Sequence, residues 1–329
     1  MKILMVGPNQ YIFLREAAIL EKLGQEVLIL DERREYLLPA NLSHNRFLRK
    51  IIKKVRPLKV LSKRTLGLKI LNAAKKFKPD LLYLKKGMLV TPDTLLKLKD
   101  RGVKIVNWFP DDLQEFDWVS KNAGLFDYFF SFDTYVVEKL RGRGLKNVFY
   151  LPFAADPTTY TDISFEDKYK CDVAFVGAWY PEREKLLELL TDYNLKIWGW
   201  KNWEKTKLSK FYYGPLPPER LGDIYNNSKI NLNIHFSSAG YGANERTFEI
   251  PAAGGFELSS YRKDMAGLFE IGKEIDVFKG PEEMLAKVDF YLKNDKIRQE
   301  IKTAGHQRVL KEHTYESRLS QMLKIITNG

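Results

Sequence analysis

Short apolar runs alternate with helical segments from one end of the chain to the other, and few architectures accommodate that rhythm. KILMV (2–6), EVLIL (26–30), DLLYL (80–84), VKIVNW (103–108), FDYFFSF (126–132) and NVFYL (147–151) punctuate the first half. DVAFVG (172–177), LKIWGW (195–200), INLNIHF (230–236), FELSS (256–260) and DVF (276–278) punctuate the second. These runs are nearly continuous in apolar residues rather than alternating, which is how strands buried on both faces read. Between them the spacing predicts helices over 11–23, 92–100, 133–141, 181–190, 217–227, Pro281 to about Leu292, and most of 295–326. FYYGPL (211–216) reads as a further short strand. Strand–helix alternation with short turns indicates parallel α/β layers. The expected fold class is α/β, two doubly wound Rossmann-like domains with parallel sheets facing a central cleft, with ligands at the carboxyl ends of strands. LPFAADPTTY (151–160), rich in Pro and small residues, is the expected boundary.

The 329 residues suffice for two domains, and 44% apolar content with 20 Phe, 17 Tyr and 6 Trp supports substantial cores. Cys171 is the only cysteine, so no intrachain disulfide forms and a reducing cytoplasm is the natural setting. Four His and one Cys are too dispersed for a zinc cluster, so no metal site is expected. The N-terminal MKILMVGPNQ reads as a strand rather than a secretory leader, and no run approaches the roughly 18 apolar residues of a membrane span. The net charge of +12 is concentrated. Residues 46–78 carry a dense series of Lys and Arg interleaved with Phe47, Leu48, Ile51, Ile52 and Val55. That pattern fits a helix with an ordinary solvated flank, an anionic membrane surface or, less readily, nucleic acid.

The segment NERTFEIPAAGGF (244–256) holds the densest candidate chemistry. Asn244 can cap a helix, leaving free amides near its start as an anion site that Arg246 would strengthen. Glu249 follows about one turn later, where a carboxylate can accept hydrogen bonds from a ribose diol. Gly254 and Gly255 end the helix ahead of the next strand. The pattern fits a nucleotide-sugar grip; it also fits a capped helix with a glycine stop and no ligand. In VGAWYPER (176–183), Gly177 permits close backbone approach and Arg183 opens the following helix, within reach of a diphosphate or simply solvated. In NWFPDDLQEFDW (107–118), Asp111 and Asp112 follow a buried strand among aromatics, fit either for sugar binding and general-base work or for capping the next helix. Asp133 is similarly but less favourably placed. His235 and His313 read as structural. VGPNQY (6–11) lacks the glycines of a dinucleotide fingerprint, and neither a P-loop nor a GxSxG elbow occurs.

FVGAWYPER (175–183), NERTFEIPAAGGFELSS (244–260), LFEIGKEIDVFKGPEEM (268–284) and GHQRVLKEHTYESRL (305–319) resemble, in that order, the glycosyl transferase group 1-like domain of the CgeB (spore maturation protein) family. NWFPDD (107–112), FDYFFSFD (126–133) and LPFAADP (151–157) resemble its N-terminal half more loosely. The resemblance implies a GT-B glycosyltransferase: an acceptor domain over 1–155, a nucleotide-sugar donor domain over 156–305, and a helix over 306–329 crossing back toward the first domain. Such enzymes need no bound metal or cofactor. By the resemblance Glu249 takes the ribose hydroxyls, as the second Glu of a pair in related retaining enzymes does; the first would fall at Tyr241, a departure that leaves retention or inversion open. Asn244, Arg246, Thr247 and Arg183 are expected around the diphosphate, with Lys273 in the IGKE loop as a further candidate. Asp111 or Asp112 is expected to activate the acceptor. The expected donor is of UDP type; the acceptor is a glycan, lipid-linked or other hydroxyl. The expected setting is cytoplasmic, with peripheral contact at the inner membrane face. A non-catalytic nucleotide-sugar or polyanion-binding protein and a DNA-modifying glycosyltransferase are the alternatives.

Overall fold

The structure is a computed structural model that describes residues 1–8, 11–32, 56–111, 113–236 and 240–328, apart from the side chains of residues 56, 58 and 59. The basic stretch 46–55 and Asp112 lie outside the described residues. The chain divides into two compact units, Met1–Leu151 with Leu319–Gly329, and Pro152–Arg318.

The first unit is built on β1 (Lys2–Gly7), β2 (Glu26–Asp31), β3 (Leu81–Lys85), β4 (Lys104–Phe109), β5 (Tyr128–Ser131) and β6 (Val148–Tyr150). They form one sheet in the order β2-β1-β3-β4-β5-β6, and every pairing is parallel. The described helices are α1 (Tyr11–Lys22), α2 (Arg56–Phe77), α3 (Pro92–Lys99), α4 (Phe116–Asn122) and α5 (Thr134–Arg141). β3 and β5 are buried along their whole length, which is why their sequences are apolar up to the closing Lys85 and Ser131. Leu4, Val6, Leu82, Leu84, Ile105 and Phe129 of the sheet pack with Leu66 and Ile70 of α2. Asp133 serves as the N-cap of α5, accepting from the Tyr135 amide at 2.8 Å.

The second unit repeats the plan with β7 (Cys171–Gly177), β8 (Leu195–Gly199), β9 (Ser228–Asn233), β10 (Glu257–Ser260) and β11 (Asp276–Phe278). Their order is β11-β10-β9-β7-β8, again wholly parallel. The chain runs outward from β7 in both directions, so β7 and β9 flank a topological switch point. The described helices are α6 (Pro181–Glu188), α7 (Leu221–Asn227), α8 (Arg246–Ala252), α9 (Pro281–Lys293) and α10 (Asp295–Glu312); α11 (Tyr315–Asn328) begins in this unit and from Leu319 belongs to the first.

Several expectations need correction. FYYGPL forms no strand, only a bridge between Ile197 and Tyr212, because Gly214 turns left-handed (φ 98°) and a proline follows. The helix expected over 217–227 begins as a 3₁₀ turn, Pro218–Arg220, before α7. The C-terminal segment breaks at His313–Thr314, where Ala155 N–H donates to His313 O and Tyr315 N–H donates to Ala155 O, each at 3.0 Å. These bonds hold Ala155 to the second unit, which begins at Pro152. Residues 306–318 stay with the second unit: His306 bonds Pro251 O at 2.9 Å, Arg308 donates to Leu268 O at 3.1 Å, and Gly305 packs directly on Glu274 O. The return to the first unit begins only at Leu319.

Candidate active site

The candidate residues of the second unit gather where its topology reverses. β7 ends at Gly177, and the loop that follows leads to Arg183 in the first turn of α6. Arg183 Nε donates to Ile234 O at 3.0 Å and Nη1 to Ala178 O at 2.9 Å. One side chain therefore ties the loop after β7 to the loop after β9. The guanidinium also lies over the rings of Phe175 and Tyr180, 5.5 and 5.2 Å from their centroids. Burial, with Arg246 nearby, lowers its pKa to about 10, so it stays cationic at neutral pH.

Beyond β9 the chain returns through Asn244 into α8. Asn244 Oδ1 accepts from the Thr247 amide at 3.2 Å, the capping expected of it. The helix closes in a Schellman motif, Gly255 N–H to Ile250 O at 2.8 Å and Gly254 N–H to Pro251 O at 2.9 Å, with Gly254 at φ 75°. Arg246 and Glu249 form an ion pair on this seven-residue helix. Their side chains are 30% and 13% exposed, so both keep a face toward solvent.

Not every expected residue faces a ligand. Thr247 is fully buried, its amide held by Asn244 and its hydroxyl accepting from Asn233 Nδ2 at 3.2 Å. The Thr247 amide and hydroxyl are thus both engaged within the protein. Asn244 is likewise engaged on both ends of its amide, donating to Asn233 Oδ1 at 2.9 Å. Gly177 is required by packing: a Cβ there would meet the Phe175 ring at 2.9 Å. Lys273 pairs with Glu270 at 2.5 Å on the exposed turn leading into β11. Since the strands are parallel, that turn lies at the amino edge of the sheet, opposite Arg183 and Arg246.

His235 is a buried brace. Its Nε2 accepts from the Asn244 amide at 3.0 Å, which leaves Nδ1–H to face Ser260 Oγ at 3.2 Å. Burial first, and then Arg262 and Arg183, drive its pKa well below 6.5, so the ring is neutral. Cys171 is buried beside Ser228 Oγ at 3.3 Å, and burial raises its thiol to about 11, leaving it inert as a nucleophile at neutral pH.

In the first unit Asp111 follows β4 and its carboxylate pairs with the Lys86 ammonium. Lys86 and Gly87 are both left-handed (φ 69° and 68°), and Asn107 Nδ2 secures this turn by donating to Lys86 O at 3.1 Å. Among the described residues no three His, Cys, Asp or Glu groups stand close enough to hold a metal ion. No described helix is long and apolar enough to cross a membrane.

Sequence reasoning missed Asn233 and Glu257. Asn233, the last residue of β9, donates to Glu257 Oε1 at 2.8 Å and to Asn244 Oδ1 at 3.0 Å. Burial raises the Glu257 carboxyl to about 8, while the hydrogen bond from Asn233 opposes that rise. A polar signal was present in both: an acid opening an otherwise buried strand, and Asn231 and Asn233 on one face of an apolar one.

Residues 183–324 match the glycosyl transferase-like family model. No curated protein matches the sequence. Among solved structures, a sucrose-phosphate synthase from Thermosynechococcus elongatus superimposes with a TM-score of 0.75 at 8% identity, over 100% of this chain and 98% of that one. HepE of Anabaena, solved in complex with UDP, superimposes at 0.66 with 10% identity and full coverage of both chains. The lipopolysaccharide outer core galactosyltransferase WaaB in its apo form gives 0.60 at 12% identity, over 98% of this chain and 99% of that one. The chain thus has the two-unit GT-B fold of these structures, and its residues 183–324 are similar to the glycosyl transferase-like family model.

Proposed function

We propose that the protein is a glycosyltransferase that moves a sugar from a UDP-type nucleotide-diphospho-sugar to a hydroxyl of a glycan, lipid-linked or related acceptor. One observation carries the reading: Arg183 and the Arg246–Glu249 pair, from the first turns of the helices that follow β7 and β9, lie at the carboxyl edge of the second unit's sheet, near enough for Arg246 to lower the Arg183 pKa. Arg183, Arg246 and Arg262 against Glu245 and Glu249 leave that edge cationic, complementary to a diphosphate. In this reading Glu249 exchanges its arginine for the ribose diol. Arg246 and Arg183 then offset the charge that grows on the departing nucleoside diphosphate, without a resident metal or cofactor. The bound UDP and UDP-glucose of the HepE structures support the donor class. Acceptor activation falls to Asp111 or Asp112; Asp111 would first have to part from Lys86. The setting is cytoplasmic, and α2 supplies the surface for an anionic membrane where a lipid-linked acceptor is met.

A thermal-shift screen with UDP-, GDP-, ADP-, CMP- and dTDP-sugars tests the reading, because a ligand bound only by the folded state raises the melting point. A rise with UDP-sugars and nucleoside-diphosphate release with acceptor are expected. Asp112→Asn should keep the rise and lose the release. Binding without hydrolysis or transfer would favour a non-catalytic nucleotide-sugar protein, and transfer to DNA alone would favour the DNA-modifying alternative.

A further inference from the structure

Asn244, where the chain turns into α8, is held from two strands at once. From β9, Asn233 exchanges a reciprocal pair of amide hydrogen bonds with it, at 3.0 and 2.9 Å. Two residues on, His235 Nε2 accepts its backbone amide at 3.0 Å. From β10, Glu257 Oε1 accepts from Asn233 at 2.8 Å, and Ser260 Oγ orients the His235 ring at 3.2 Å. Asn233 and Glu257 are 3% and 1% exposed, and Glu257 Oε2 is buried with no hydrogen-bond partner among the described residues. A buried carboxyl in that state is expensive to keep. An apolar pair would fill the space without the cost, so the polar bracket asks for a reason beyond packing.

We infer that the Asn233–Glu257 bracket is a positioning device: it fixes Asn244 and the start of α8, and so aims Arg246 and Glu249, which sit two and five residues later. Neither Asn233 nor Glu257 touches the donor in this account; they act through the register and pitch of one short helix. Seven residues are too few for α8 to hold its own orientation, so it depends on its neighbours: His306 grips its last turn at Pro251 O, and the bracket grips its first. The inference rests on the glycosyltransferase reading for what is aimed, but not for the bracket itself.

The experiment pairs donor affinity with amide hydrogen exchange on the full chain. Asn233→Ala and Glu257→Ala should weaken UDP binding about tenfold and lower kcat/KM for the donor at least as much, the scale of one or two lost hydrogen bonds. In the ligand-free protein the amides of 246–252 should exchange faster, with the rest of the unit unaltered. Glu257→Gln, which keeps a neutral acceptor for Asn233, should restore both readouts and keeps the test open if an alanine variant does not fold. Unchanged affinity and unchanged exchange in a folded Asn233→Ala protein would overturn the proposal. Restoration failing in a folded Glu257→Gln protein would also overturn it. If the wild-type chain binds no nucleotide, the glycosyltransferase reading falls, and exchange in 246–252 alone decides for or against the bracket.

Discussion

Glu249 and Arg246 are three residues apart on one helical turn, and each is the other's counter-ion. A largely buried pair of this kind is weak evidence for stability, because desolvation offsets its attraction, so its presence at a strand's carboxyl edge calls for another use. Replacing Glu249 by Ala should weaken UDP binding by about 1–3 kcal/mol, the range for hydrogen bonds to a charged group, and leave the fold intact. Isothermal calorimetry on wild type and variant reads this directly; equal affinities would remove Glu249 from the ribose. The same scale shows what a residue's type does not reveal. Arg183, Arg246, Thr247 and Asn244 were equal candidates in the sequence, yet Thr247 is sealed off and Asn244 spends its amide on the bracket. The difference lies in partners contributed by Asn233 and Glu257, 14 and 10 residues from Thr247 along the chain, which no local pattern encodes.

Helices and strands were legible because their periodicities are local. The N-cap at Asp133 and the glycine stop at Gly254–Gly255 fall where the residues require. FYYGPL misled because its aromatics read as strand while Gly214 prevents continuation. α2 is the element with a surface still to be matched. Val60, Leu61 and Leu68 are 47%, 48% and 63% exposed, and Arg64, Lys75 and Lys76 are exposed with them. No acid occurs in residues 56–77. Exposed aliphatics flanked by basic groups suit the headgroup layer of an anionic bilayer, at roughly 1 kcal/mol per basic residue near the surface. The chain is therefore expected to pellet with phosphatidylglycerol vesicles but not with neutral ones, less so at high salt, and Leu68→Glu should reduce the bound fraction. Protein that stays in the supernatant yet retards DNA in a gel would assign the helix to nucleic acid instead.

At the scale of the whole molecule, two buried groups of the second unit set opposite pH limits. Burial, then Arg318, lowers His313 from 6.5 to about 4 while its Nε2–H bonds Leu268 O at 2.7 Å. The unfolded chain thus binds the proton more readily, so this contribution is complete above about pH 6.5 and is lost on acidification toward 4, by up to about 3 kcal/mol. Burial of Glu257 raises its pKa from 4.5 to about 8, so the folded state holds that proton and stability declines as pH rises from 4.5 toward 8. Urea unfolding between pH 4 and 9 should show both limbs, and Glu257→Gln should remove the alkaline one while sparing the acid one. An alkaline limb that survives the substitution would place its origin elsewhere.

The sequence by itself determined that this chain forms parallel sheets with helical crossovers, because burial on both faces leaves a continuous apolar signature in each strand. It also determined the cap and the glycine stop of α8, since those depend on residues within one or two turns. Only the tertiary structure decided which polar residues meet. Strands far apart in sequence lie side by side at the switch point, so Arg183 reaches Ile234, and Asn233 reaches Glu257. It also sent Lys273 to the opposite edge of the sheet and kept residues 306–318 with the second unit. Hydrogen bonds and ion pairs act over about 3 Å in space regardless of separation along the chain, and it is the fold that sets distances in space.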